Sequence, residues 1–262
     1  MPEQTRVLLR LANLTVTREN PILQDINWEL RQGEHWALLG ANGSGKSSLL
    51  SILGGYLHGC GTIEVDGQRH GYTDWRTVRK LIGIVSSALS HRIEPAETAS
   101  EVVASGEQAM LNMGGLLGEP ELERAKKRLL ALGLSHLLNR RWGVLSQGER
   151  QRILIARAMQ PDIRVLFLDE PCAGLDPVAR EDFLNFLEKL GSESAIPALV
   201  LVTHHLEEIT PCFTHALILK AGQVLKSAPV EEALTSETLS EAFAHPVRVE
   251  KGRGRWWLEV ER

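Results

Sequence analysis

Short apolar runs separated by polar turns dominate the first part of the chain. Val7-Leu8-Leu9 and Ile26-Asn27-Trp28-Glu29-Leu30 have strand length, and His35-Trp36-Ala37-Leu38-Leu39 predicts a buried strand running into glycines. Residues 47–53 predict the following helix, which Gly54-Gly55 stops. Further on the period changes. Leu122, Ala125, Leu129 and Leu132 fall on one helical face, with Pro120 in the first turn and Gly133 at the end. Glu119, Glu121 and Glu123 crowd the positive end of that helix dipole. A second helix is predicted over residues 149–159, after the polar run Ser146-Gln147-Gly148. Val165-Leu166-Phe167-Leu168 and Leu199-Val200-Leu201-Val202 then lack alternation, the pattern of parallel strands covered on both faces. Residues 216–220 and 223–227, joined by Ala221-Gly222, predict a hairpin. The expected fold class is α/β, a mostly parallel sheet with a mostly helical insertion between about Ser86 and Met159.

Composition changes this picture little. Of 262 residues 43% are apolar and 24% charged, as in ordinary globular proteins, and the net charge of −4 argues against broad nucleic-acid binding. Cys60, Cys172 and Cys212 are odd in number and widely spaced, so reduced thiols are expected rather than a disulfide framework or zinc site. Residues 1–14 are broken by Glu3, Arg6, Arg10 and Asn13, and no signal-peptide core fits there. The longest apolar stretch, residues 195–202, contains Pro197 and is far short of a membrane span.

Candidate chemistry lies in the glycine run. Gly40-Ala41-Asn42-Gly43-Ser44-Gly45-Lys46-Ser47 matches G-x-x-x-x-G-K-[ST] in full, between a predicted strand and a predicted helix. Glycines let successive N–H groups converge on an anion, and the helix start adds its own free N–H groups. Lys46 supplies a charge for the β- and γ-phosphates, Ser47 offers a hydroxyl to Mg²⁺, and Ser48 continues the nucleotide site. The second motif is Leu166-Phe167-Leu168-Asp169-Glu170-Pro171. An acidic pair ending a buried strand is costly unless a cation or hydrogen bonds compensate it. Alone it reads as a helix cap or solvated edge; downstream of a phosphate loop, Asp169 can hold Mg²⁺ through water and Glu170 can polarise the attacking water. Together the motifs predict a P-loop ATPase.

Further motifs point to a family. Leu145-Ser146-Gln147-Gly148-Glu149-Arg150-Gln151-Arg152 resembles the signature of ABC-type ATPases. Ala173-Gly174-Leu175-Asp176 is similar to that family's D-loop, and Val202-Thr203-His204 to its switch-histidine segment. The resemblance covers residues 11–229 and keeps the family's order. It implies a P-loop NTPase core (residues 1–85 and 160–230) with an N-terminal antiparallel β subdomain. It also implies a helical signature subdomain (86–159) and a C-terminal extension (231–262), all within one domain of residues 1–262. It further implies a head-to-tail dimer, with itself or a homologous ATPase subunit, sharing two ATP sites. Within the signature Ser146, Gln147, Gly148 and Glu149, acting in trans, Ser146 and the Gly148 N–H would face the γ-phosphate held by the other subunit, and Asp176 would couple the sites. His204 would contact the γ-phosphate and orient water alongside Glu170, giving Mg²⁺-dependent hydrolysis of ATP to ADP and phosphate.

Three departures bear on this. The family usually has a glutamine after the strand that here reads Ile82-Gly83-Ile84-Val85, where it binds Mg²⁺ and relays nucleotide state to the membrane partner. This chain has Ser86-Ser87. A bridging water or a remodelled loop at Ser87 is the expectation, and transport coupling is what the change touches. No aromatic stands near residues 17–20 to stack on adenine; Arg18 either does so with its guanidinium plane or is an exposed loop residue. Gln147 and Glu149 replace the commonest signature residues while Ser146 and Gly148, which should touch phosphate, are kept. The tail, residues 239–260, is similar to that of ATPases from metal-chelate uptake systems. Its Lys251, Arg253 and Arg255 beside Trp256-Trp257 fit either a nucleic-acid arm or tryptophans packing a terminal strand with basic residues on its turn.

Taken together, the motifs and the resemblance imply an importer-like ABC transporter ATPase subunit, cytoplasmic and peripheral on the inner face of the membrane, paired with separate permease subunits. No nucleic-acid partner is expected. The rival is an ABC-type ATPase without a membrane partner, serving cofactor assembly, repair or translation.

Overall fold

The computed structural model describes residues 6–113, 115–160, 162–193 and 196–261. In chain order its strands begin with β1 (Val7–Thr17), β2 (Pro21–Arg31), β3 (Trp36–Leu39), β4 (Cys60–Val65), β5 (Gln68–Arg69) and β6 (Ile82–Ser86). Then come β7 (Val165–Asp169), β8 (Ala198–Val202), β9 (His215–Lys220), β10 (Gln223–Pro229), β11 (Val247–Gly252) and β12 (Arg255–Val260). The apolar runs form a six-stranded sheet in the order β10-β9-β3-β8-β7-β6, parallel except for β10. β1, β2, β4 and β5 form an antiparallel sheet in the order β2-β1-β4-β5.

Alternation along the central strands divides the core in two. Val165 and Phe167 of β7 face a cluster with Trp28, Leu30 and Leu49, between the central sheet, the antiparallel sheet and the Lys46–Leu53 helix. Leu166 and Leu168 join the other cluster, with Val102, Leu129 and Leu154 of the helical insertion. Fully burying a side chain such as Phe167 contributes about 1.5–3 kcal/mol. The insertion carries the Ala99–Ala104, Glu119–Ala131 and Gln147–Ala158 helices. Ala125 and Leu129 are buried as the period predicts, with Leu122 and Leu132 partly so. The last helix starts earlier than expected. Ser146 caps it, its hydroxyl accepting from the Glu149 N–H while the Glu149 carboxylate accepts from the Ser146 N–H, so Gln147 and Gly148 fall inside the first turn.

The Ser236–Phe243 helix and the β11–β12 hairpin end the chain. Trp256 is buried in the cluster of the helical insertion, Trp257 is half-exposed, and Arg253 sits between the strands. All three cysteines are free. Among the described residues no helix is long and apolar enough to cross a membrane.

Candidate functional site

Parallel register gathers the site. Ser86 pairs with Asp169, and Asp169 with Val202, while Leu38 of β3 also pairs with Val202. The carboxyl ends of β3, β6, β7 and β8 therefore lie level, and whatever comes after each strand meets at one edge of the sheet, where open α/β sheets place their ligands. A cleft of about 280 Å³ opens there, lined by Ile22, Asn42, Gly43, Gly45, Lys46, Ser47, Ser48, Ser87, Asp169 and Glu170.

The phosphate loop is held tightly. Gly45 has a φ of 108°, and a Cβ on it would lie 2.6 Å from Leu23 Cδ2, so only glycine fits where the loop turns into the helix. Lys46 begins that helix, buried, with Nζ donating to the carbonyls of Gly40 at 2.6 Å and Ala41 at 3.1 Å. Burial pushes its pKa below the ordinary lysine value, against the pull of Glu170 and Asp169. The Ser44 hydroxyl is buried without a hydrogen-bond partner, while its N–H donates to the Ala41 carbonyl.

On the acidic side, burial raises the Asp169 pKa, Glu170 adds to the rise and Lys46 opposes it. Glu170 has a φ of 46° and donates its N–H to the Val202 carbonyl at 2.9 Å. A left-handed conformation at a non-glycine residue stores strain of the sort found at functional sites. His204 Nδ1 lies 3.1 Å from Glu170 Oε1. The segment bearing His204 is pinned by Thr203, whose hydroxyl donates to buried Glu208 at 2.6 Å and accepts from the His205 N–H. Ser47 and Asp169 offer an alcohol and a carboxylate oxygen, hard donors suited to Mg²⁺. Among the described residues no three His, Cys, Asp or Glu converge on a metal site.

Other predicted residues stand apart. Ser146, Gln147, Gly148 and Glu149 begin the Gln147–Ala158 helix outside the lining of the cleft. Glu149 also pairs with Arg140 at 2.7 Å. Asp176 caps the Pro177–Gly191 helix, accepting from the Val178 and Ala179 N–H groups, each at 2.9 Å. Arg18 is exposed in the β1–β2 turn, outside the lining, and it is Ile22 of β2 that borders the cleft. Ser87 does line it, at the start of the helical turn after β6. Sequence reasoning missed Gly222. Its N–H donates to the Ser44 carbonyl at 3.0 Å and its own carbonyl accepts from the Gln24 N–H, so the β9–β10 turn buttresses the phosphate loop. The Ala221-Gly222 turn was visible in the pattern; its tertiary contact was not.

A glycine loop between strand and helix, with an acidic pair ending a parallel strand of the same sheet one strand further along, defines a P-loop nucleotide-binding domain. The family model for the ABC transporter matches residues 23–173. The chain is 39% identical over 246 residues to the uncharacterized ABC transporter ATP-binding protein YlmA of Bacillus subtilis, covering 93% of each. It is 31% identical to the hemin import ATP-binding protein HmuV of Nocardia farcinica, over 95% of this chain and 86% of that one. Its fold is similar to a chain from an inward-facing metal-chelate type ABC transporter, with a TM-score of 0.75, 28% identity and 97% of each chain covered. The chain therefore belongs to the ABC transporter family, as an ATP-binding subunit.

Proposed function

We propose that this subunit hydrolyses ATP with Mg²⁺ to power an importer-like transporter, working as a head-to-tail dimer on separate membrane subunits at the cytoplasmic face. One observation carries the dimer. The cleft is lined by the phosphate loop, Ser87, Asp169 and Glu170, while exposed Ser146 and buried Gly148 sit elsewhere, at the start of the Gln147–Ala158 helix. A helix N-terminus with a serine cap is an anion site, and a second copy would bring it to the open side of the cleft. The import direction rests on the likeness to HmuV, and the metal-chelate neighbour matches 97% of this chain.

In this reading Lys46 exchanges the Gly40 and Ala41 carbonyls for phosphate oxygens. The loop amides and the Ser44 hydroxyl hold the same phosphates. Ser47, and Asp169 through water, would hold Mg²⁺, which would supply neutralisation of phosphate charge when bound. Glu170 accepts the proton of the attacking water, and His204, within hydrogen-bond reach of Glu170, orients both. Ser87 is too short to replace glutamine directly and would act through a bridging water.

Glu170→Gln tests the shared site. It keeps the shape of the side chain and removes the base, so the purified variant should bind ATP, turn over slowly and elute as a dimer. A strictly monomeric variant at saturating ATP would count against the shared site. Recovery of a multi-span protein on pull-down from membranes supports the transporter assignment; recovery of soluble partners alone refutes it.

A further inference from the structure

The C-terminal hairpin grips the segment that carries His204. Arg255, at the start of β12, donates from Nη1 to the Glu207 carbonyl at 2.7 Å and from Nη2 to the Glu181 carboxylate at 2.9 Å. Glu207 lies in the short 3-10 turn Leu206–Glu208, three residues beyond His204. Glu181 lies in the second turn of the Pro177–Gly191 helix, which Asp176 caps. One guanidinium thus ties the switch-histidine segment to the helix after the D-loop. Arg180 of the same helix reaches the Glu207 carboxylate at 3.5 Å, a looser second tie. The hairpin itself is anchored next door, where Trp256 is buried in the cluster that also holds Leu206 and Ile209. Arg255 is only 19% exposed, so its two charge-assisted bonds are partly shielded from solvent.

We propose that Arg255 is a positioning residue for hydrolysis, fixing the switch-histidine segment against the D-loop helix so that His204 meets Glu170 in productive geometry. The fork geometry of a guanidinium is what allows one side chain to hold a carbonyl and a carboxylate on two different elements. Local hydrogen bonds from Thr203 to Glu208 shape the segment internally; Arg255 sets where that segment sits. A small displacement of a catalytic group costs up to about 10²-fold in rate. The inference rests on the reading of His204 as part of the hydrolytic site.

The test is steady-state Mg²⁺-ATP hydrolysis by the purified full-length chain. Arg255→Met should lower kcat by about tenfold, leave the KM for ATP within about twofold, and leave ATP binding intact. Arg255→Lys, which keeps the charge but can hold fewer of the bonds, should recover part of the loss. Glu181→Gln should cost less alone and add nothing in the Arg255→Met background, because both remove the same tie. An unchanged kcat in Arg255→Met overturns the proposal, as does a loss of kcat accompanied by an equal loss of ATP binding and thermal stability. His204→Ala is measured alongside. If it hydrolyses ATP at the normal rate, the site reading itself fails; if it is inactive while Arg255→Met is not, only the positioning role fails.

Discussion

Gly148 occupies the second position of the Gln147–Ala158 helix, and a Cβ added there would meet no atom within 4 Å in the isolated chain. Its φ is not in the left-handed region. Nothing in the fold of one subunit therefore requires glycine. Alanine in a helix is favoured over glycine by up to about 1 kcal/mol, which for a chain of this size raises Tm by up to about 2–4 °C. The phosphate reading gives the opposite sign for activity. If the N–H groups at this helix start receive the γ-phosphate from a second subunit, a methyl group in their path removes a transition-state donor, about 10²–10³ in rate. Gly148→Ala should thus show a Tm equal to or above that of the unmodified chain by differential scanning fluorimetry, with hydrolysis reduced by about 10²–10³. ATP binding at the phosphate loop should survive, because Gly148 lies outside that cleft. Full activity in a well-folded Gly148→Ala protein would refute the shared site, whatever the stability.

Lys46→Ala removes the ammonium bonded to the Gly40 and Ala41 carbonyls and should cut the hydrolysis rate by about 10²–10³, read by phosphate release. Gly222→Ala places a Cβ against the Ile22 carbonyl at a φ of 79°, where an L-residue costs about 1–2 kcal/mol; Tm should fall and the KM for ATP rise as the Ser44 buttress shifts. Burial raises the Glu208 pKa above the ordinary carboxylate range, outweighing the Thr203 hydrogen bond. As pH rises from that ordinary range through the folded pKa, the unfolded chain releases the proton first, so stability falls across that window and stays lower above it. Glu208→Gln keeps an oxygen for the Thr203 hydroxyl without the buried charge. Its Tm advantage over the unmodified chain should therefore grow from acid to neutral pH, and an advantage that shrinks with rising pH would refute the assignment.

Local features were legible because their geometry is written in consecutive residues. The run Gly40 to Ser47 encodes a strand end, a curled backbone and a helix start within eight residues, and the structure places them so. The apolar runs of β7 and β8 announced a doubly covered parallel sheet for the same reason: a side chain buried on either face must be apolar. The helix start at Gln147 was misjudged by two residues, since the reciprocal bonds between Ser146 and Glu149 close a turn that apolar periodicity does not register.

By itself the sequence determined the phosphate loop, the acidic pair, the layered α/β class and the family, all carried by short-range spacing and periodicity. Tertiary structure decided which distant residues share the edge. Asp169 meets Lys46 because parallel register levels the ends of β6, β7 and β8 beside β3. Gly222 reaches Ser44, and Arg255 ties Glu207 to Glu181, across separations that no local pattern spans. The same geometry leaves Ser146 and Gly148 outside the cleft of their own subunit. Hydrogen bonds between strands and loops depend on register and on sheet order, and those are properties of the packed chain.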